Sequence, residues 1–197
     1  MIKNTLVMII GLILFLAPKS AKAFDIDWNL PKRQGFTFEV GLAEGLTQSF
    51  QTPDGNYIHH VSKVGFAPPQ LSLGWFVDED NALMIREVGT GYYDWDNATN
   101  KELETFTGSY QHWFGNHLFV GVGAGLGTYS NDPFDFGPYA TKYGIGFNER
   151  IGLSMISERH ISLALTLDLI QVDFSTPNNQ PETFVGGESI GLQIQYY

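Results

Sequence analysis

The chain has 197 residues, a formal charge of -10 at neutral pH and no cysteine. That length suits one domain, and the missing cysteines exclude a disulfide framework, a thiolate metal site and a cysteine nucleophile. So acidic a chain is not built to bind nucleic acid, whose phosphates demand Lys and Arg. Aromatic residues at 14%, 22 glycines and no long helical periodicity indicate an all-β chain.

Met1, Ile2 and Lys3 precede an apolar stretch from Leu6 to Ala17, and Pro18 and Ser20 lead into Ala21-Lys22-Ala23. A positive start, a short apolar core and small residues before a cleavage point predict a secretory signal over residues 1–23, removed after Ala23. The apolar run, about 12 residues, is too short for the ~20 of a spanning helix. Cleavage removes Lys3, Lys19 and Lys22 but no acid, which takes the charge from -10 to -13.

Beyond Ala23 the chain alternates. Phe36, Phe38, Val40 and Leu42 share one face, with Thr37, Glu39, Gly41 and Ala43 on the other, as a strand of period two requires. Leu71, Leu73, Trp75 and Val77 follow, set against Gln70, Ser72 and Gly74. Residues 82–93 and 102–114 read as strands with a less regular pattern. The rhythm is cleanest in Leu118, Val120, Val122, Ala124 and Leu126, which alternate with Gly121, Gly123, Gly125 and Gly127. Residues 143–156 form a sixth candidate strand region in the same irregular manner. Ile161, Leu163, Leu165, Leu167 and Leu169 then alternate with Ser162, Ala164, Thr166 and Asp168. Ile190, Leu192, Ile194 and Tyr196 close the series against Ser189, Gly191, Gln193 and Gln195.

This gives about eight strands of about 10–14 residues, an even number and the length a tilted membrane strand needs. Short turns are expected at 78–81, 115–116 and 157–160, and long polar loops at 47–63, 94–101, 130–142 and 175–187. Short turns on one rim and long loops on the other match an outer-membrane barrel with periplasmic turns and extracellular loops. Trp75, Phe76, Tyr92, Tyr93, Trp113, Phe114, Tyr143 and Tyr196 stand near strand ends, where an interfacial girdle is expected. A soluble sandwich or ligand-binding barrel also alternates, but would leave a Gly-rich face to water. A narrow barrel instead needs small inward residues to fit its larger ones. The expected fold is therefore an all-β, closed, antiparallel eight-stranded transmembrane β-barrel over residues 35–197, preceded by a periplasmic N-terminal segment, 24–34.

Glu39, Arg86, Arg150 and Asp168 are expected to face the lumen and pair there. Glu149 falls on the lipid-facing side, between Phe147 and Ile151, so a β-bulge that re-aims it inward is expected. Arg86 and Glu87 pose the same choice of face.

The mature chain resembles the eight-stranded outer-membrane barrels throughout its length. Phe147-Asn148-Glu149-Arg150-Ile151-Gly152 and the Gly-rich segment from Gly121 to Tyr129 are similar to strands of the lipid A deacylase barrels. That resemblance implies a lipid-facing triad made of a His-x-Ser pair on strand seven and a Glu on strand eight. The matching positions are Asp173-Phe174-Ser175 and Glu188. An Asp stands where the His belongs, and a carboxylate is a far weaker base for a serine hydroxyl near neutral pH. His59 and His60, in the first long loop, could reach the outer rim and supply an imidazole. His112, His117 and His160 belong to the short-turn rim. Two adjacent histidines are a weak enzyme or metal signal.

The expectation is a non-catalytic barrel with a structural or surface-interaction role. A lipid A-modifying hydrolase, 3-O-deacylase-like and either active or degenerate, stands as the alternative, and a small-solute pore comes last, since a barrel this narrow is plugged by its own side chains. No cofactor or metal is expected. Expected partners are outer-membrane lipid, lipopolysaccharide and the barrel-assembly machinery during insertion, with the protein itself a monomer.

Overall fold

The computed structural model describes residues 33–51, 57–61, 65–67, 69–94, 99–130, 141–158, 160–174 and 184–197. Its strands are β1 (Gly35–Gln51), β2 (Tyr57–Val61), β3 (Gly65–Phe66), β4 (Gln70–Phe76), β5 (Asn81–Asp94), β6 (Thr99–Phe114), β7 (Leu118–Ser130), β8 (Thr141–Glu158), β9 (Ile161–Asp173) and β10 (Phe184–Tyr196). From β4 onward each pairs antiparallel with the next, β4 pairs with β1, and β10 returns to β1 over Phe38–Gln51, so the sheet closes. The wall has eight staves because β2, β3 and β4 run in succession along β1 as one interrupted stave.

Following partners sideways from Glu39 leads through Ser72, Arg86, Thr107, Gly125, Gly146, Val172 and Val185, and comes back to β1 at Phe50. A ring that closes so far up its starting strand tilts the strands steeply against the barrel axis. A bulge between Gly45 and Thr47 contributes one residue to that stagger.

Alternation then decides what faces where. Phe36, Leu42, Leu73, Val122, Leu126, Leu165, Leu192 and Ile194 are exposed, while their neighbours Thr37, Ser72, Thr166 and Gln193 are buried. The apolar face therefore points out and the small polar face points in, the arrangement a lipid-embedded barrel needs and a soluble one avoids.

Three expectations are corrected. The staves are longer than the alternation suggested: β1 continues to Gln51 and pairs with β2, and β5 and β6 stay paired up to Asp94 and Thr99, so much of two expected loops is strand. Of the expected girdle, Phe76 and Trp113 instead lie buried in the lumen, whereas Trp75, Tyr143 and Tyr196 point outward. Glu149 is not re-aimed: it pairs in unbroken register with Val122 and Leu169, and the slip in β8 comes later, between Ser154 and Ile156. Glu149 thus stays on the outward face, and Glu87 does too, between lumen-facing Arg86 and Val88.

Candidate functional site

The lumen is filled in three layers, and seven of the eight staves supply the polar middle one. Arg150 of β8 donates from Nε to Asp168 Oδ1 on β9 at 2.5 Å and from Nη2 to Asp168 Oδ2 at 3.1 Å, a bidentate pair. Its remaining donors reach Gln70 Oε1 at 2.8 Å and Gln193 Oε1 at 2.6 Å. Glu39 Oε2 on β1 accepts from both Arg150 Nη1 and Arg86 Nη2, each at 3.3 Å. Arg86 also donates from Nε to Ser72 Oγ at 3.2 Å and from Nη2 to Gln111 Oε1. Two guanidiniums and two carboxylates, all fully buried, therefore balance in charge. The eighth stave, β7, contributes space: a Cβ at Gly121 would lie 2.8 Å from Arg86 Nη1.

Below this layer, toward the short turns, Phe76, Ala82, Met84, Trp113, Phe119, Ala164 and Tyr197 form an apolar cluster. Trp113 and Phe119 stack with ring centroids 4.6 Å apart, and Gly152 leaves room for the Phe119 ring. Arg33, just before β1, closes this end. Its guanidinium lies 4.2 Å over the Trp113 ring and donates to Glu79 O at 2.9 Å and to Gly115 O at 2.8 Å, which ties the N-terminal lead to two turns. Burial lowers its pKa from the ordinary arginine value, and Tyr197 and Asp80 offset part of that. Above the polar layer, toward the long loops, lie Val88, Leu103, Tyr129, Ile170, Val172, Phe174 and Val185.

On the outer wall the charge is one-sided. Glu44, Glu87, Glu102, Glu104, Glu149, Asp173 and Glu188 all face outward, Glu87 and Glu149 near the middle of their strands and the others in the loop-side half. Among the described side chains no Lys or Arg faces outward from a strand.

The four luminal charges occupy the places expected of them. Of the residues considered for a triad, Asp173 and Glu188 are both exposed on the outward face of adjacent strands. They are not neighbours: Asp173 pairs with Phe184, and Glu188 pairs with Leu169, four residues down β9, or roughly 13 Å of strand at its usual rise. Ser175 lies outside the described residues. His59 and His60 belong to β2, where their backbones pair with Phe50 and Ser49. No group of three or more His, Cys, Asp or Glu among the described residues is arranged to hold a metal. The glutamines of the middle layer and the Arg33 clamp were not anticipated. Inward parity marks Gln70 and Gln193, but nothing in the sequence pairs them with Arg150.

No protein-family model and no curated protein sequence matches the chain. Among solved structures, the neisserial surface protein A is similar at 17% identity with a TM-score of 0.55, over 82% of this chain and 96% of that one. The attachment invasion locus protein of Yersinia pestis is similar at 9% identity with a TM-score of 0.52, over 83% of this chain and 99% of that one. The fold is that of the small outer-membrane barrels.

Proposed function

We propose that this chain works as an outer-membrane barrel with a surface-interaction or structural role, neither conducting solutes nor catalysing a reaction. The observation that carries this reading is the filled lumen: two apolar layers enclose a charge-balanced polar one, which leaves the long-loop rim as the part free to act. The outward apolar band supports a location in lipid. Two similar barrels, a surface protein and an attachment invasion protein, support the Gram-negative outer membrane and an outward-facing task. With the short turns in the periplasm, the outward carboxylates nearest the loop ends, Glu102, Glu104, Asp173 and Glu188, stand toward the lipopolysaccharide headgroups. A removed signal peptide, insertion by the barrel-assembly machinery and a monomeric state complete the reading.

The separation of Asp173 from Glu188 along the wall, and the lack of a histidine beside them in sequence, support a non-catalytic role. A serine nucleophile depends on a base and its orienting partner within hydrogen-bond reach. The test uses purified, folded protein in two assays. Planar bilayers should show no discrete conductance, and incubation with lipopolysaccharide should release no hydroxy fatty acid. Regular channel openings, or release abolished by Ser175→Ala, would contradict the reading.

A further inference from the structure

On the outward wall, the rungs across β5 and β6 can be followed upward from the short turns. Asn81 pairs with His112, Leu83 with Tyr110 and Ile85 with Gly108, and β7 continues the last two rungs with Val122 and Ala124. The third rung is low, because Gly108 has no side chain and Ala124 only a methyl. Exposed Leu83, Ile85, Phe106, Tyr110 and Val122 stand around it. The result is an open hollow of about 560 Å³ in the apolar band, with Gly108 and Ala124 as its floor. A Cβ added at Gly108 would meet nothing within 4 Å, so packing within the wall does not demand a glycine there.

The turn-side end of this hollow is polar, and its hydrogen bonds run in one direction. The Asp78 carboxylate accepts from Asn81 Nδ2 through both oxygens, at 2.7 and 2.8 Å. A carboxylate has nothing to donate, so the Asn81 amide is fixed with its nitrogen toward Asp78 and Oδ1 away from it. There Oδ1 accepts from the Tyr110 hydroxyl and meets His112 Nδ1 at 2.8 Å. An amide oxygen has no proton to give, so His112 Nδ1 carries the hydrogen, and the neutral ring presents Nε2 as an acceptor. Edge-on packing against Phe114, with ring centroids 4.6 Å apart, supports the imidazole in that pose.

The donors of Asn81, Tyr110 and His112 are therefore spent within the cluster. What remains to offer the membrane is acceptor capacity: the exposed Asp78 carboxylate and His112 Nε2. Tyr110 belongs to both parts, since it lines the hollow and bonds to Asn81. A ligand that suits the whole surface carries hydrocarbon at one end and, at the other, a positive charge with N–H donors.

We propose that the hollow and the cluster together hold one phospholipid with a primary ammonium headgroup, its acyl chain over Gly108 and Ala124 and its ammonium donating to Asp78 and His112. A quaternary ammonium keeps the charge but has no N–H, and an anionic headgroup meets Asp78 with the wrong sign. The inference goes beyond the surface role of the loops. It rests on the lipid-embedded reading of the wall, and with the short turns in the periplasm the bound lipid belongs to the periplasmic leaflet.

The test places purified, folded protein in nanodiscs with equal parts of five dioleoyl lipids, and reads the retained lipids by native mass spectrometry. The five are phosphatidylethanolamine, its N-methyl and N,N-dimethyl derivatives, phosphatidylcholine and phosphatidylglycerol. Retention should fall along the methylated series as N–H donors are lost, with phosphatidylethanolamine about twofold to fivefold above phosphatidylcholine, the size of an exposed ion pair. Gly108→Leu fills the hollow, and His112→Phe removes the acceptor but keeps a ring; each should level the series. Leu192→Phe, on the opposite wall, should leave it intact. Equal retention along the series, measured on the unaltered protein, would overturn the proposal. So would a preference for phosphatidylglycerol, a series that survives either Gly108→Leu or His112→Phe, or one lost equally in Leu192→Phe. Protein that failed to enter nanodiscs at all would contradict the lipid-embedded reading, and the proposal with it.

Discussion

Glu39→Gln tests the luminal network at its narrowest point. The substitution keeps the shape of the side chain and removes its charge. Asp168 continues to hold Arg150 through two hydrogen bonds, so the loss falls on Arg86, whose salt bridge among the described residues is to Glu39. Arg86 is fully buried, and an uncompensated buried charge costs about 3–5 kcal/mol when its partner is removed. Glu39 shares its Oε2 between two guanidiniums at 3.3 Å rather than forming a close bidentate pair. The lower end, about 3 kcal/mol, is therefore expected. The assay is reversible urea unfolding in lipid vesicles, followed by tryptophan fluorescence and by the gel shift of unboiled protein. The double substitution Glu39→Leu with Arg86→Met removes both charges and should recover most of the loss, because a buried pair replaced by apolar groups is often near neutral. A Glu39→Gln penalty below about 1 kcal/mol, or a double variant as weak as the two single losses added, would refute the reasoning.

Arg at Leu165 or Val122 should impair folding into bilayers by about 2–4 kcal/mol, far more than a charge at lumen-facing Thr166, and equal losses would mean that the faces are reversed. Gly123 is a poor comparison, since a Cβ there meets Ser109, Asn148 and Thr107 whatever its polarity. Trp113→Ala with Phe119→Ala should lower stability by several kcal/mol, as paired large-to-small core changes do. It should still give no conductance, because the upper apolar layer remains; regular openings would locate the whole seal at the lower end. In the first turn, Asp78 accepts from the Asp80 N–H at 2.9 Å and from Asn81 Nδ2 at 2.7 Å, which holds its pKa below the usual carboxylate value. A lowered folded pKa gives stability that is present above the unfolded value and lost as pH falls through the folded one. Amide shifts of Asp80 and Asn81 should accordingly stay constant from neutral pH into the ordinary carboxylate range and change only below it; a midpoint at the ordinary value would contradict this. Ser175→Ala should change no lipid A species detected by mass spectrometry of whole cells, and loss of a species would assign Ser175 a chemical role.

Most of the fold was legible because membrane strands repeat one physical rule. Leu118 to Leu126 against Gly121 to Gly127 fixes both faces of β7, and the same parity places Glu39, Arg86, Arg150 and Asp168 inside. The upper strand ends were less legible. There the wall rises past the apolar band, and Gln48, Ser49 and Gln171 lack the hydrophobic rhythm that marks a strand in lipid, although they pair as regularly. Phe76 and Trp113 were misread for a related reason: aromatic residues near a rim serve a girdle or a luminal plug equally, and only parity with Gly74 and Gln111 separates the two. Glu149 was expected to turn inward because a lipid-facing carboxylate is costly, but its strand offers no slip at that point to turn it.

Since the natural chain lacks cysteine, a single introduced thiol reports its own side of the membrane without ambiguity. Asn116→Cys in a short turn and Asn178→Cys in the last long loop should be expressed separately in Gram-negative cells and exposed, intact, to a membrane-impermeant maleimide. Labelling at residue 178 but not at residue 116, with residue 116 becoming reactive once the outer membrane is permeabilised, is the result expected of an outer-membrane barrel with its long loops outward. Labelling only at residue 116 would invert the orientation, and no labelling at either position until the inner membrane is broken would remove the protein from the outer membrane altogether.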